Sequence, residues 1–122
     1  MKETRFRAWD KINGEMIPWG RLLNGYNLRN VFMGPEMSGL ILMQFTGLED
    51  KNGVQIYEGD IVETVWNGEV FAGVVVYDLS EVDFKVTDGK EEYGRNFQYL
   101  AGNDENEVIG NIYQNNDLLR EE

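Results

Sequence analysis

The chain has 122 residues, a net charge of −11 and 42% hydrophobic side chains. It is long enough for one folded domain, which we expect to span residues 1–122, and too apolar for a disordered chain. It contains no cysteine and no histidine, which excludes disulfides, thiolate nucleophiles, the usual zinc ligands and the commonest general base. We therefore expect no enzyme, cofactor or metal. No signal peptide or membrane-spanning apolar segment is visible, which predicts a soluble cytoplasmic protein without a membrane partner.

The charges are unevenly distributed along the chain. Residues 1–35 carry six basic and three acidic side chains, whereas residues 36–122 carry five basic and nineteen acidic ones. The two parts are electrostatically complementary, so they can attract each other within one chain or between copies in a head-to-tail assembly. Alternatively, the acidic excess only keeps the protein soluble.

The N-terminal part is predicted to begin with a β-hairpin. Polar and apolar residues alternate over Thr4–Trp9, Asn13–Gly14 supplies a tight turn, and Glu15–Trp19 forms the return strand. Glycines and a proline interrupt residues 20–39, so we expect a loop there with one short strand over Leu28–Met33. The apolar segment Leu40–Phe45 predicts a buried strand.

A dense set of turn residues follows between residues 46 and 60. Asp50 is expected to accept backbone N–H groups within its own turn, and Asn52 and Gly53 to form a left-handed corner. A strand starts near Val54, and Glu58 begins a second reversal. We assign structural turn roles to Gly47, Asp50, Asn52, Gly53, Tyr57, Glu58, Gly59 and Asp60.

The rest of the chain is expected to form further short strands with close turns. The predicted strands are Asp60–Trp66 with a bulge or two buried sides, Glu69–Tyr77 with a bend at Gly73, Asp83–Thr87, Glu91–Leu100 and Glu107–Tyr113. Turns are expected at Asn67–Gly68 and Asp88–Gly89, and Asn116 is expected to cap a helical turn through Arg120. The predicted fold is mainly β, a small barrel-like or sandwich domain with an SH3-like element, an N-terminal hairpin region over residues 1–45 and an acidic β core over residues 46–122.

Three segments resemble the YopX family of bacteriophage and prophage proteins. They are Phe6–Lys11 (FRAWDK), Met43–Gly53 (MQFTGLEDKNG) with Ile56–Val62 (IYEGDIV), and Glu107–Tyr113 (EVIGNIY). The resemblance spans nearly the whole chain. It departs from the family pattern at Phe45, where the family usually has Tyr, and at Gln114–Asp117, where the family has Glu-Asn-Pro-Glu.

The resemblance implies a small β-rich protein encoded by a phage or prophage. It further implies action in the cytoplasm of the bacterial host, assembly as a homo-oligomer and no established biochemical activity. It assigns no catalytic residues to this chain.

The candidate binding or interface residues are Arg5, Arg7, Trp9 and Trp19. Basic and aromatic side chains together are typical of surfaces that bind nucleic acid, but they also occur between subunits. We interpret this region first as an intersubunit or plain surface. Nucleic-acid binding is the alternative.

The acidic residues also have two interpretations. Glu58 and Asp60 are two residues apart, so their carboxylates could act together in general acid–base catalysis. A structural turn role is favoured, because nothing in the sequence indicates a substrate cleft. The segments that begin at Asp50 and Asp104 do not fit a calcium loop, and no phosphate-binding glycine pattern occurs. A DNA-mimicking inhibitor of a host protein remains a second alternative. The sequence thus predicts a non-enzymatic protein that self-associates and binds a host or phage macromolecule.

Overall fold

The computed structural model describes residues 4–34, 39–66, 68–88 and 97–119. The structure is mainly β, as predicted. It divides into two compact units, Met1–Phe45 and Thr46–Glu122. None of the helices within the described ranges is long and apolar enough to cross a membrane.

The first unit begins with the predicted hairpin. Strands β1 (Phe6–Asp10) and β2 (Glu15–Ile17) are antiparallel, with Ala8 opposite Ile17. The connection has four residues, and only its last one, Gly14, has a positive φ (67°), so the turn is longer than the tight Asn-Gly turn that we predicted. Strand β3 (Leu40–Glu49) pairs with the other edge of β1, which makes β1 central in this unit.

Two short helices replace the predicted loop and strand between residues 18 and 34. They are α1 (Trp19–Gly25) and α2 (Leu28–Met33), so the strand predicted over Leu28–Met33 is wrong. The Asn27 side chain accepts a hydrogen bond from the Asn30 N–H and thereby caps α2. Leu28 and Val31, three residues apart, both pack inward, which is a helical spacing that the neighbouring glycines obscured.

The core of the first unit lies between these helices and the sheet. Its buried members are Ala8, Ile17, Leu22, Val31 and Leu40, with Trp19, Tyr26, Leu28 and Leu42 packed against them. Burial of this apolar surface is the main term that stabilises helices too short to persist alone.

The second unit contains the end of β3, strand β4 (Gln55–Tyr57) beside it, and a curled five-stranded sheet. That sheet has the order β8-β7-β6-β5-β9, with β5 (Asp60–Trp66), β6 (Glu69–Asp78), β7 (Asp83–Thr87), β8 (Phe97–Tyr99) and β9 (Glu107–Asn111). A 3-10 helix covers Asn116–Leu119. The predicted turn positions Asn67 and Gly89, residues 91–96 of a predicted strand, and Arg120 lie outside the described residues.

The second core lies on one face of this sheet. Its buried members are Ile56, Val62, Val75, Phe84, Val86 and Leu100. The pairing of β5 with β9 shifts register between Ile61 and Val62, within the strand for which we predicted a bulge or two buried sides. At Gly73 the backbone of β6 approaches that of Thr87 in β7 so closely that a Cβ atom would lie 2.7 Å from the Thr87 carbonyl carbon. This position requires glycine because β6 must approach its neighbour.

Candidate functional site

The N-terminal candidate residues lie on two different faces of β1. Side chains alternate across a strand, so Arg7 and Trp9 lie on the face opposite Phe6 and Ala8. Ala8 belongs to the first core, and the Phe6 ring lies 6.0 Å from the Trp19 ring. Trp19 is therefore on the core side of the strand, and the structure does not bring it beside the arginines.

Arg5 and Arg7 are only half-buried, and Arg5 has an aromatic neighbour. The Arg5 guanidinium carbon lies 5.2 Å from the centre of the Phe45 ring, and the Phe45 N–H donates to the Arg5 carbonyl at 2.9 Å. A guanidinium stacked on a ring in this way is partly withdrawn from solvent. The two arginines are thus less accessible to a phosphate backbone than the sequence alone indicates.

More exposed basic side chains of the first unit lie on its helices. Arg21 in α1 pairs with Glu15 at 3.2 Å, and Arg29 in α2 is exposed. An open depression of about 430 Å³ lies against α1. Its lining residues are Gly20, Arg21, Asn24, Gly25 and Tyr26. The lining contains one cation and no carboxylate, so it offers no acid–base pair.

Asp50 organises the first turn of the second unit. Its Oδ1 atom accepts the N–H groups of Asn52 (2.8 Å) and Val54 (2.9 Å), and Gly53 at the corner has φ 83°. Its Oδ2 atom accepts the N–H of Val108 at 2.9 Å, which ties the turn to β9. The side chain therefore fixes both the local turn and a contact 58 positions along the chain.

The pKa of Asp50 is set by two opposing effects. Burial raises it, because the residue is only 7% exposed, but the three N–H donors of Val108, Val54 and Asn52 together lower it below its ordinary value. Asp50 is thus an ionised hydrogen-bond acceptor in the folded protein.

Asp60 has a similar structural role in the second turn. It is 1% exposed, and its Oδ2 atom accepts the N–H of the buried Tyr57 at 2.8 Å. Between them, Gly59 adopts φ 86° and donates its N–H to the Val75 carbonyl at 3.0 Å. Glu58 is half-buried beside it. This geometry supports a turn role for the Glu58–Asp60 segment.

Acidic residues within the described ranges form no cluster of three with the spacing of a metal site. Asp10 accepts the N–H groups of Ile12 and Asn13 in the first hairpin and so repeats the pattern of Asp50. Hydrogen bonds from Asn13 lower the pKa of Asp10 below its ordinary value. The buried aspartates Asp10, Asp50 and Asp60 each bind backbone N–H groups.

The sequence analysis missed a polar cluster around Lys85, on the face of the five-stranded sheet opposite the core. The Lys85 Nζ atom donates to Asp78 at 2.6 Å and contacts Glu81 at 3.2 Å, and the Tyr99 hydroxyl donates to Glu81 at 2.8 Å. The same Nζ atom lies 4.1 Å from the centre of the Phe97 ring. Lysine is rarely this buried (8% exposed) unless it is paired.

Strand register brings this cluster together. Lys85 on β7 lies opposite Val76 on β6 and Tyr99 on β8. The only signal in the sequence is a lysine between the apolar residues Phe84 and Val86 in the middle of a predicted strand. The hydrogen bond from Lys85 holds the pKa of the Asp78 carboxyl well below its usual range, and donors at Ser80 and Glu81 add to the effect.

We expect Lys85→Met to raise the pKa of Asp78 toward its ordinary value, because the strongest donor is lost while Ser80 remains. A carboxyl ¹³C titration by NMR measures this change. The pKa of Asp78 is lowered in the folded state, so its ionised carboxylate stabilises the folded protein at pH values above the ordinary carboxyl range. This contribution is lost as the pH falls through the folded-state pKa. Lys51→Met, which breaks the exposed pair with Glu107, is the control. An unchanged Asp78 titration would contradict the assigned cause.

Comparisons with known proteins agree with this architecture. The crystal structure of protein EF1440 from Enterococcus faecalis is similar, with a TM-score of 0.57 and 24% sequence identity over 98% of this chain and 100% of that chain. At this identity the likeness shows the fold alone. No curated protein sequence matches the chain significantly. The family model described as YopX protein matches residues 5–120. The chain therefore belongs to the YopX protein family.

Proposed function

We propose that this chain is a non-catalytic phage or prophage protein that self-associates and acts in the bacterial cytoplasm by binding another macromolecule. The observation that supports this most is the presence of exposed apolar side chains on two units whose charges have opposite sign. Such surfaces are typical of protein interfaces, in which apolar contacts supply affinity and complementary charges supply orientation.

In the first unit, three exposed apolar residues lie on the helices beside basic residues. Leu23 is 48% exposed, Phe32 41% and Met33 79%, and the neighbouring Arg29 is exposed. Single exposed apolar residues are common on any protein, but here three lie within eleven positions of a unit with a basic sequence. Exposed apolar residues beside basic ones are complementary to a protein surface that carries acidic residues.

In the second unit, several exposed apolar residues lie on the face of the five-stranded sheet opposite the core. Val65 on β5 pairs directly with Val70 on β6, and Val76 lies further along the same face of β6. Tyr99 on β8 is 46% exposed on this face. An antiparallel sheet with a solvated face normally places polar residues there, so these positions support a binding role.

The proposed absence of catalysis rests on the chemistry of the available side chains. The chain has no histidine or cysteine, and the buried carboxylates Asp50 and Asp60 bind backbone N–H groups in turns. A carboxylate used in this way is a poor proton shuttle, because its lone pairs are already engaged.

We also interpret the second unit as a variant of the SH3-like barrel. The consecutive antiparallel strands β5, β6 and β7, with a bulge in β5 and a close approach at Gly73, support this interpretation. Some SH3-like barrels bind peptides or nucleic acids.

Light scattering after size exclusion tests the self-association. We expect a mass that is a multiple of the 14.1 kDa of one chain, and a monomer at micromolar concentration would overturn this part of the proposal. A gel shift with labelled DNA tests the alternative function. A salt-dependent shift that Arg5→Glu with Arg7→Glu abolishes would favour nucleic-acid binding by the N-terminal strand.

A further inference from the structure

The connection between β6 and β7 exposes two branched apolar side chains. We call residues 79–82 the β6–β7 tip. Leu79 is 77% exposed and Val82 is 73% exposed, whereas hairpin connections usually contain glycine, asparagine, aspartate or serine. Neither side chain contributes to the second core. Formation of the turn therefore does not explain why these two residues are apolar.

The backbone of the tip is strained at Val82. This residue has φ 54°, and it is the only non-glycine residue with a positive φ among the described residues. The left-handed conformation is especially unfavourable for a β-branched side chain, and such strain persists only where the surroundings enforce it. An asparagine or glycine at this position would form the same turn without strain.

A network of hydrogen bonds enforces the strained conformation. The Asp78 Oδ1 atom accepts the N–H (2.9 Å) and hydroxyl (2.7 Å) of Ser80 and the N–H of Glu81 (3.2 Å). Lys85 and Tyr99 hold Asp78 and Glu81 from the neighbouring strands. The tip is thus fixed before any contact with a partner, which lowers the entropy cost of binding.

A surface with complementary properties lies on the outside of α2. Arg29, Phe32 and Met33 are spaced i, i+3 and i+4, so they share one side of the helix, next to the side on which Leu28 and Val31 pack inward. We call these three residues the α2 outer face. All three are exposed. The Phe32 ring also makes an edge-to-face contact with the Phe6 ring, with 5.0 Å between the ring centres.

We propose that the β6–β7 tip of one copy docks on the α2 outer face of a second copy. Leu79 and Val82 then pack against Phe32 and Met33, and Arg29 lies toward the acidic residues that flank the tip. The proposal rests on the self-association proposed above and assigns its surfaces. The charges favour a second copy as the occupant, because the tip contains Glu81, is flanked by Asp78 and Asp83, and belongs to the acidic part of the chain.

The contact joins two different surfaces, so it is a heterologous, head-to-tail interface. A pair joined in this way retains one free tip, on one copy, and one free α2 outer face, on the other, so the assembly grows into a ring or a filament. An anionic membrane is a less suitable occupant, since the carboxylates beside the tip would be repelled by acidic lipids.

The test measures association by sedimentation velocity for the full chain and its variants. The tip variant is Leu79→Ser with Val82→Gly, and the α2 variant is Arg29→Glu with Met33→Ser. Each is expected to raise the dissociation constant at least about tenfold, because central apolar contacts and a paired charge are lost. Val54→Ser is the matched control, since Val54 is 46% exposed on the same unit but lies in the Asp50 turn and not in the tip, and serine keeps the backbone N–H that Asp50 accepts; we expect association to remain unchanged.

Folding is monitored separately by thermal denaturation. Val82→Gly alone removes the strain at φ 54°, so its melting temperature should equal or exceed that of the unmodified chain while its association weakens. A variant that is at least as stable and yet associates less cannot owe its defect to misfolding.

Mixing the two double variants tests the pairing of the surfaces. The tip variant retains an intact α2 outer face and the α2 variant retains an intact tip, so the mixture should form a 1:1 dimer that neither variant forms alone. This dimer would support the proposal, and its absence would overturn the pairing. An oligomer that both double variants leave unchanged would overturn this assignment of surfaces but not self-association. A monomeric unmodified chain would overturn both.

Discussion

Gly73→Ala is expected to lower the free energy of unfolding of the second unit by about 3 kcal/mol. The new methyl group would contact the backbone carbonyl of Thr87, with the carbonyl carbon at 2.7 Å, and the Val86 Cγ1 atom at 3.0 Å. A flexible side chain could rotate away, but a backbone carbonyl in the middle of a sheet cannot move without breaking the β6–β7 ladder. Urea denaturation followed by circular dichroism measures the change.

The matched control for this prediction is Gly20→Ala. The substitution is the same, but a Cβ atom at Gly20 meets nothing within 4 Å, and the residue lies in the first turn of α1. Alanine favours the helix here by about 0.5–1 kcal/mol, so the stability should stay constant or rise. If both variants lost the same stability, the loss would reflect glycine replacement in general and not the close approach of β6 and β7.

The strands were largely predictable from sequence because their signals are local. Alternating side chains bounded by turn residues predicted Asp60–Trp66 and Asp83–Thr87 with the bounds that the structure has. The helices were not predicted, because Gly20, Gly25 and Gly34 lower helix propensity and the sequence reading gave them more weight than the inward spacing of Leu28 and Val31. Tertiary burial overrides propensity in both helices.

The polar contacts were also predictable only where the partners are close in sequence. The role of Asp50 in its own turn was predicted, because Asx turns are read from residues two to four positions apart. Its bond to Val108 was not predicted, since it depends on how β9 is placed. The cluster of Lys85, Asp78 and Tyr99 likewise depends on the register of three strands. A sequence reading without strand pairing cannot supply that register.

The candidate binding residues also show that side-chain placement depends on elements that the sequence reading did not predict. These residues are Arg5, Arg7, Trp9 and Trp19. Alternation correctly separates the two faces of β1, but α1 determines on which face Trp19 lies. Because the sequence reading had no α1, it grouped Trp19 with the arginines. Several exposed basic and apolar residues of the first unit lie instead on α1 and α2, such as Leu23, Arg29 and Met33.

Asp50→Asn is expected to lower the free energy of unfolding by about 3 kcal/mol at neutral pH. An asparagine can still accept the N–H groups of Asn52 and Val54 through its one oxygen. Its amide group would then face the N–H of Val108, so two donors meet where a charge-assisted bond existed at 2.9 Å. Asp104→Asn, which changes an exposed aspartate of the same unit, should leave the stability within about 0.5 kcal/mol.

The stability difference between the unmodified chain and Asp50→Asn should depend on pH if the ionised Asp50 carboxylate causes it. The pKa of Asp50 is lowered in the folded state, so the stability from its carboxylate is present above the ordinary carboxyl range and is lost as the pH falls through the folded pKa. The difference in free energy of unfolding between the unmodified chain and Asp50→Asn should therefore become smaller as the pH falls from neutral to about pH 3. A gap that stays constant over this range would mean that the ionised carboxylate is not what joins the Asp50 turn to β9.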